Sequence, residues 1–348
     1  MSRTTTASLA AAAALALGTA VAPAANATTN DPYYPKLWGL QTVNAEQAWP
    51  TSTGAGVTVA VVDTGVDLTQ PDLVGHLVPG ATFAGCPTQG VSCGNGDWKG
   101  YDGVGQPDDV HGTHVSGIVA ATANNGIGVA GVAPDAKIMP IKVLEGGSGN
   151  NVDIAAGIRY AADHGASVIN LSLGSLPGGQ VLGLLDTTAT DAIKYARDKG
   201  VLTVAAAGNS STALCNDPAF NSVAICVGAI GPRNLKAYYS EFPIKPDLNT
   251  VAAPGGSGLS DDENIWSSVP QGTGANGGDY ASFAGTSMAT PHVAGVAALL
   301  FAQGRGVDNV QKSLQDTAIN PLTGIRGGYS LQYGRGVVDA AAAVQATR

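Results

Sequence analysis

Five runs of β-branched and aliphatic residues, 57–62, 137–144, 167–173, 201–206 and 224–230, punctuate the chain from Gly56 onward. None alternates apolar with polar positions. Each is close to continuously apolar, the pattern of parallel strands covered on both faces. Between them lie two segments of helical period, 152–164 with Ile154, Ile158 and Ala162, and 186–199 with Ala189, Ile193 and Ala196. Gly165 and Gly200 follow as C-terminal stops. Strand, helix, strand in this order predicts right-handed βαβ units, hence an α/β fold with a mostly parallel sheet and helices on both faces. A last long helix is expected from 286 to about 303, because 293–302 is apolar and Gly304 closes it. The segments 85–109 and 254–278 read as loops by composition. The strand pattern resumes after each without a compositional shift, so a single domain is expected.

The start of the chain carries a different pattern. Arg3, the apolar run 9–17 and then Ala25-Asn26-Ala27 have the charge, apolar stretch and small-residue site of a secretory signal, with cleavage expected after Ala27. The run is shorter than the ~20 residues a membrane span needs. Its removal leaves 321 residues with 16 basic and 26 acidic side chains, a domain beginning at Thr28. Only 12% of the chain is charged while 44% is hydrophobic, which excludes disorder. The net charge of -9, without a Lys/Arg cluster, argues against a nucleic-acid partner or an anionic membrane surface. No further segment is long and apolar enough to span a bilayer, so a secreted, extracellular protein is expected. Export also gives the four cysteines a meaning: Cys86, Cys93, Cys215 and Cys226 form two close pairs. Of three possible pairings, 86–93 and 215–226 are expected. Neither pair has C-x-x-C spacing and no His is interleaved, which weakens a metal reading.

Three short motifs carry chemistry. Asp63 ends the apolar run in VAVVDTG, so its carboxylate emerges at the C-terminal edge of a strand, where open α/β sheets place their sites. Alone it reads equally well as a turn residue. His111 opens a helical pattern in HGTHVSGIVA; His114 follows at i+3, but without a third ligand the two make a poor zinc site. Ser287 stands at the start of a helix in GTSMATP. Such a Ser is often only an N-cap, yet free N–H groups at a helix start also favour the oxyanion formed when a hydroxyl attacks a carbonyl. Together the three give the chain order Asp, His, Ser, known for one arrangement of the serine-protease triad.

The motifs VVDTGVD, HGTHVSGIVA and GTSMATPHVAG resemble the three signatures of the subtilisin-like serine proteases, the subtilases, over about residues 31–343. Asn30-Asp31-Pro32-Tyr33 and Gln47-Ala48-Trp49 are similar to the thermitase branch. The resemblance implies a subtilisin-like fold and a serine endopeptidase with Ser287 as nucleophile, His111 as general base and acid, and Asp63 orienting the imidazole. It implies structural roles for His114 and His292, and a side-chain oxyanion donor in Asn209. Substrate edges would be Gly147-Ser148-Gly149 and Ser172-Leu173-Gly174. Ala206, Ala207 and Gly208 would wall a roomy, apolar pocket without acidic residues, which implies broad specificity for protein or peptide substrates with large apolar side chains. Structural Ca²⁺ is implied at Asp31, Asp72 and Asn125 with the carbonyls of Thr122, Ile127 and Val129, a hard-oxygen set; as plain residues, Asn125 would make a turn and the two Asp would be solvated caps. The four Asp of 97–109 read as solvated surface. A monomer is expected. Extracellular members usually carry an inhibitory pro-domain, yet only residues 28–62, 35 positions resembling an N-terminal arm, separate the expected cleavage site from Asp63. A dedicated processing protease and an inactive peptide-binding module on the same fold are the alternative readings; intact Asp63, His111, Asn209 and Ser287 speak against the second.

Overall fold

A computed structural model describes residues 1, 29–101, 103–175 and 186–347; nearly all of the expected signal segment lies outside the described residues. Seven strands, β1 (Thr58–Asp63), β2 (Ala81–Thr82), β3 (Lys137–Lys142), β4 (Val168–Leu171), β5 (Leu202–Ala206), β6 (Ile225–Ile230) and β7 (Thr250–Pro254), form one sheet in the order β2-β3-β1-β4-β5-β6-β7. Every pairing in it is parallel. The five apolar runs are all strands of this sheet.

Their unbroken hydrophobicity has a visible cause. Val59 and Val61 of β1 enter one core, while Ala60 and Val62 enter the core on the opposite face. The first core is built around helices α3 (His111–Ala120) and α6 (Thr286–Phe301), the second around α4 (Asn151–Asp163) and α5 (Thr188–Asp198). Short α1 (Trp38–Thr42) and α2 (Ala45–Ala48) precede the sheet, and α7 (Val307–Thr317) and α8 (Ala340–Gln345) follow it. Asn150 caps α4, its side chain accepting from Asp153 N, and Asp339 caps α8 by accepting from Ala342 N. Helix α6 is apolar on every side and packs against β4, β5, β6, β7 and α3, as a helix enclosed by its own domain must. Up to Leu300 only Ser287 escapes burial on it.

The segment 254–278 is not wholly a loop. It contains β8 (Ile265–Ser268), which pairs antiparallel with β9 (Tyr280–Phe283), and Pro254 closes β7. A four-residue strand among Gly, Ser and Asp is diluted in any compositional window, and β7 (TVAAP) is too rich in Ala to look like one. Cys86 is bonded to Cys93 and Cys215 to Cys226, the expected pairing.

Candidate active site

Three parallel strands deliver the site at their C-terminal ends: β1 brings Asp63, β4 leads to Ser172 and β5 to Asn209. Helix α3 starts against the end of β1 because Gly112 allows it. A Cβ there would stand 2.3 Å from Gly65 O and 3.2 Å from Asp63 Cβ. This close approach puts His111 Nδ1 2.7 Å from Asp63 Oδ1. A carboxylate only accepts, so Nδ1 carries the proton and Nε2 is left for other work. Asp63 is fully buried, Thr64 N donates to its Oδ1 over 2.7 Å, and its Oδ2 has no partner among the described residues. The His111 side chain keeps 28% exposure. Burial of the imidazole opposes its charging, but the Asp63 charge and hydrogen bond together outweigh this, and His111 titrates above the usual imidazole value.

Ser287 is held by the residue that follows β4. Its hydroxyl donates to Ser172 O over 3.1 Å, and the Ser172 hydroxyl donates to Ser287 O over 2.8 Å. Asn209 is fixed through Thr286, whose N–H and hydroxyl donate to Asn209 Oδ1 over 2.8 and 3.0 Å. With the oxygen assigned by those donors, Nδ2 is the free end of the amide. A Cβ on Gly285 would stand 3.4 Å from Asn209 Nδ2 and 3.6 Å from Ser287 N, so the two nitrogens flank one point. Gly208 precedes Asn209 at φ 114°, where a Cβ would meet Asn216 Nδ2 at 2.4 Å; only glycine turns the chain here.

His111 and Ser287 share a groove of about 930 Å³. Its lining includes the expected edges Gly147-Ser148-Gly149 and Ser172-Leu173-Gly174, with Leu144, Ile154, Ala189 and Pro218 adding apolar surface. Ala206, Ala207 and Gly208 are not among the lining residues; Ala206 and Ala207 are buried in the protein interior. Asp108, Asp186 and Asp217 also line the groove, outside the pocket expected at 206–208. They come from three separate segments, so no local motif announces them. Thr286 and the Ser172 hydroxyl were also missed as parts of the site, since nothing but tertiary contact marks them.

His114 and His292 stand apart as buried structural groups. His114 Nε2 lies 3.1 Å from both Ile265 O and Ala281 O, and His292 Nδ1 donates to Met288 O over 2.8 Å. Burial pushes His114 down to about 3 and His292 down to about 4.

Of the residues expected around a cation, Asp31, Asp72 and Asn125 share one hydrogen-bond network. Asp31 accepts from the N–H groups of Asn124, Asn125 and Gly126, while Asp72 accepts from Asn125 Nδ2 over 2.7 Å and Val129 N over 2.9 Å. Burial pushes the Asp72 carboxyl up to about 6. Among the described residues no donor reaches the carbonyls of Thr122, Ile127 or Val129, and no three His, Cys, Asp or Glu side chains cluster for a metal. Two carboxylates, one amide and three free carbonyls fit a hard cation and do not fit zinc.

Residues 54–336 match the subtilase family of peptidases, and the chain belongs to that family. It is 41% identical to thermitase of Thermoactinomyces vulgaris, over 91% of this chain and 99% of that one. It is 39% identical to subtilisin Savinase of Lederbergia lenta, covering 88% and 98%. A solved protease of Pseudoalteromonas arctica superposes with a TM-score of 0.74 at 34% identity, over 91% of this chain and 99% of that one. The protein is therefore a serine endopeptidase, a hydrolase acting on proteins or peptides.

Proposed function

We propose that this chain is a secreted, calcium-stabilised endopeptidase of broad specificity, made with a signal segment over residues 1–27 and working as a monomer through Asp63, His111 and Ser287. The hydrogen bond of 2.7 Å between Asp63 and His111, opening on a groove that also holds Ser287, carries this reading. Ser287 Oγ attacks the scissile carbonyl carbon as its proton passes to His111 Nε2, and Asp63 stabilises the resulting imidazolium. The carbonyl oxygen becomes an oxyanion that accepts from Ser287 N and Asn209 Nδ2. The C–N bond then breaks, His111 gives its proton to the leaving amine, and an acyl-Ser287 ester remains. Water, deprotonated by His111, hydrolyses that ester and returns Ser287 to its hydroxyl form.

Substrate would lie extended against the edges 147–149 and 172–174, held by main-chain hydrogen bonds that ignore sequence. Leu144, Ile154, Leu173 and Pro218 favour large apolar side chains. Asp31, Asp72 and Asn125 with the carbonyls of Thr122, Ile127 and Val129 would hold the cation, tying the N-terminal arm to the loop after α3. Among the described residues no helix is long and apolar enough to cross a membrane.

Labelling by a fluorophosphonate probe, abolished in Ser287→Ala, is the expected result; an unlabelled native chain would leave only a peptide-binding role. A narrower reading has one observation in its favour, the three carboxylates of the groove. A peptide library decides the matter. Cleavage after many large apolar residues supports the broad enzyme, whereas cleavage confined to sites flanked by Lys or Arg would establish a dedicated processing protease.

A further inference from the structure

Behind the groove lies an ion pair that the chemistry above does not use. Lys142 Nζ and Asp109 Oδ2 are 2.8 Å apart, and both side chains are completely shielded from solvent. Lys142 also donates to Thr64 O over 3.0 Å and to Trp98 O over 3.4 Å, so all three of its protons have acceptors. The second oxygen of Asp109, Oδ1, accepts from Gly146 N over 2.9 Å. Buried ion pairs rarely stabilise a fold more than well-packed apolar side chains would, so this one invites a reason other than stability.

The reason is suggested by what the pair joins. Lys142 lies opposite Asp63 in the β1–β3 register, and its bond to Thr64 O fixes the residue that follows Asp63. Asp109 is two residues before His111. Its backbone oxygen accepts from Thr64 Oγ1 over 2.9 Å, and that same oxygen atom of Thr64 accepts from Gly112 N over 2.9 Å. Gly146 belongs to the turn 145–148, closed by Glu145 N to Ser148 O at 2.8 Å and Ser148 N to Glu145 O at 3.1 Å. Gly146 and Gly147 have φ of 54° and 73°, the left-handed pair that a two-residue hairpin turn demands. This turn carries Gly147, Ser148 and Gly149 into the groove. A Gly-rich turn has little packing of its own to fix it, and the carboxylate of Asp109 supplies an anchor from below.

We propose that Asp109 and Lys142 are a positioning pair, which holds the substrate edge 147–149 in register with His111 and Asp63 through the bond from Gly146 N. The inference rests on the peptidase reading above and extends it to how long substrates are recognised. Its consequence depends on substrate length. A peptide long enough to lie along 147–149 feels the anchor, whereas a single-residue ester does not reach it.

The test compares a tetrapeptide p-nitroanilide with a single-residue ester in two charge-free variants, each normalised to sites titrated with a fluorophosphonate. Asp109→Asn with Lys142→Met keeps an acceptor for Gly146 N; Asp109→Leu with Lys142→Met removes it. The ratio of kcat/KM for tetrapeptide over ester is expected to stay within about twofold of native in the first and to fall about tenfold in the second, mostly through KM, as befits loss of one anchoring hydrogen bond. Asp109→Ala with Lys142→Met makes the same comparison should the leucine prevent folding. Equal ratios in the two variants, a ratio that simply follows Tm, or an equal loss on ester and tetrapeptide would overturn the proposal. Failure of the native chain to label would instead overturn the peptidase reading, so the two failures are distinct.

Discussion

Ser172 and Ser287 exchange hydrogen bonds: the hydroxyl of Ser287 donates to Ser172 O over 3.1 Å, and that of Ser172 to Ser287 O over 2.8 Å. The second bond follows from the sequence of α6. Pro291 lies four residues after Ser287 within the helix and has no N–H, so the carbonyl of Ser287 lacks its usual helical donor. The strand-end hydroxyl takes that place and ties the helix start to the groove edge.

Ser172→Ala should therefore lower kcat by about three- to tenfold with KM within about twofold, the scale of one hydrogen bond made to a positioned group. Pro291→Ala restores an N–H for Ser287 O, so the double variant should regain part of the loss. Active-site-titrated kinetics checks both. Native turnover in Ser172→Ala would show that the exchange does not position the nucleophile.

Asn209→Ala removes the only side-chain donor of the proposed oxyanion pair and leaves Ser287 N in place. In subtilisin itself, loss of the side-chain oxyanion donor costs about 10²–10³ in kcat, and the same order is expected here. The ground-state carbonyl is not yet charged, so KM should hardly move. An unaltered kcat would remove Asn209 from the mechanism.

Asp63 holds His111 above the ordinary imidazole value against the opposing effect of burial. The base must be neutral to accept a proton, so kcat/KM should rise with pH through a midpoint above about 6.5. In Asp63→Asn that midpoint should move to lower pH and kcat should fall on the order of 10⁴-fold. The sign for stability is the reverse. A raised folded pKa means that the couple contributes stability fully present below about pH 6.5 and lost as pH rises through the folded value. Thermal unfolding of the native chain and of Asp63→Asn should therefore differ most at low pH within the folded range, and a constant difference across pH would contradict this coupling.

Much of this was legible in the sequence where side-chain chemistry and period coincide. The run ending in Asp63 feeds a core on each face and so could not alternate, and Gly112 next to His111 is what lets a helix approach a strand end. Cysteine spacing was enough for both disulfides. The misses share one cause. β8, the Ser172 hydroxyl, Thr286 and the groove carboxylates Asp108, Asp186 and Asp217 take their roles from neighbours distant in the chain, and no local pattern records those. Ala206 and Ala207 are buried small residues, and in the sequence a small residue packed in the interior looks the same as one that walls a pocket.

The proposed cation loop gives the last prediction. Asn125 bridges to Asp72 through its side chain and to Asp31 through its N–H, so it links both the arm at Asp31 and the segment at Asp72 to the loop after α3. Two negative charges with free carbonyls nearby are poorly balanced alone and well matched by Ca²⁺. Binding to the folded chain at 100 times Kd contributes about 2.7 kcal/mol, which for a domain of this size is a rise in Tm on the order of 5 °C. Chelation should reverse that rise, and Mg²⁺ at the same concentration should not reproduce it, since the smaller ion demands stricter octahedral geometry. Asp72→Asn should abolish the calcium response while leaving labelling of Ser287 intact. Scanning calorimetry with added Ca²⁺, Mg²⁺ or chelator checks the set; an identical Tm in all three would exclude a tight site at this loop.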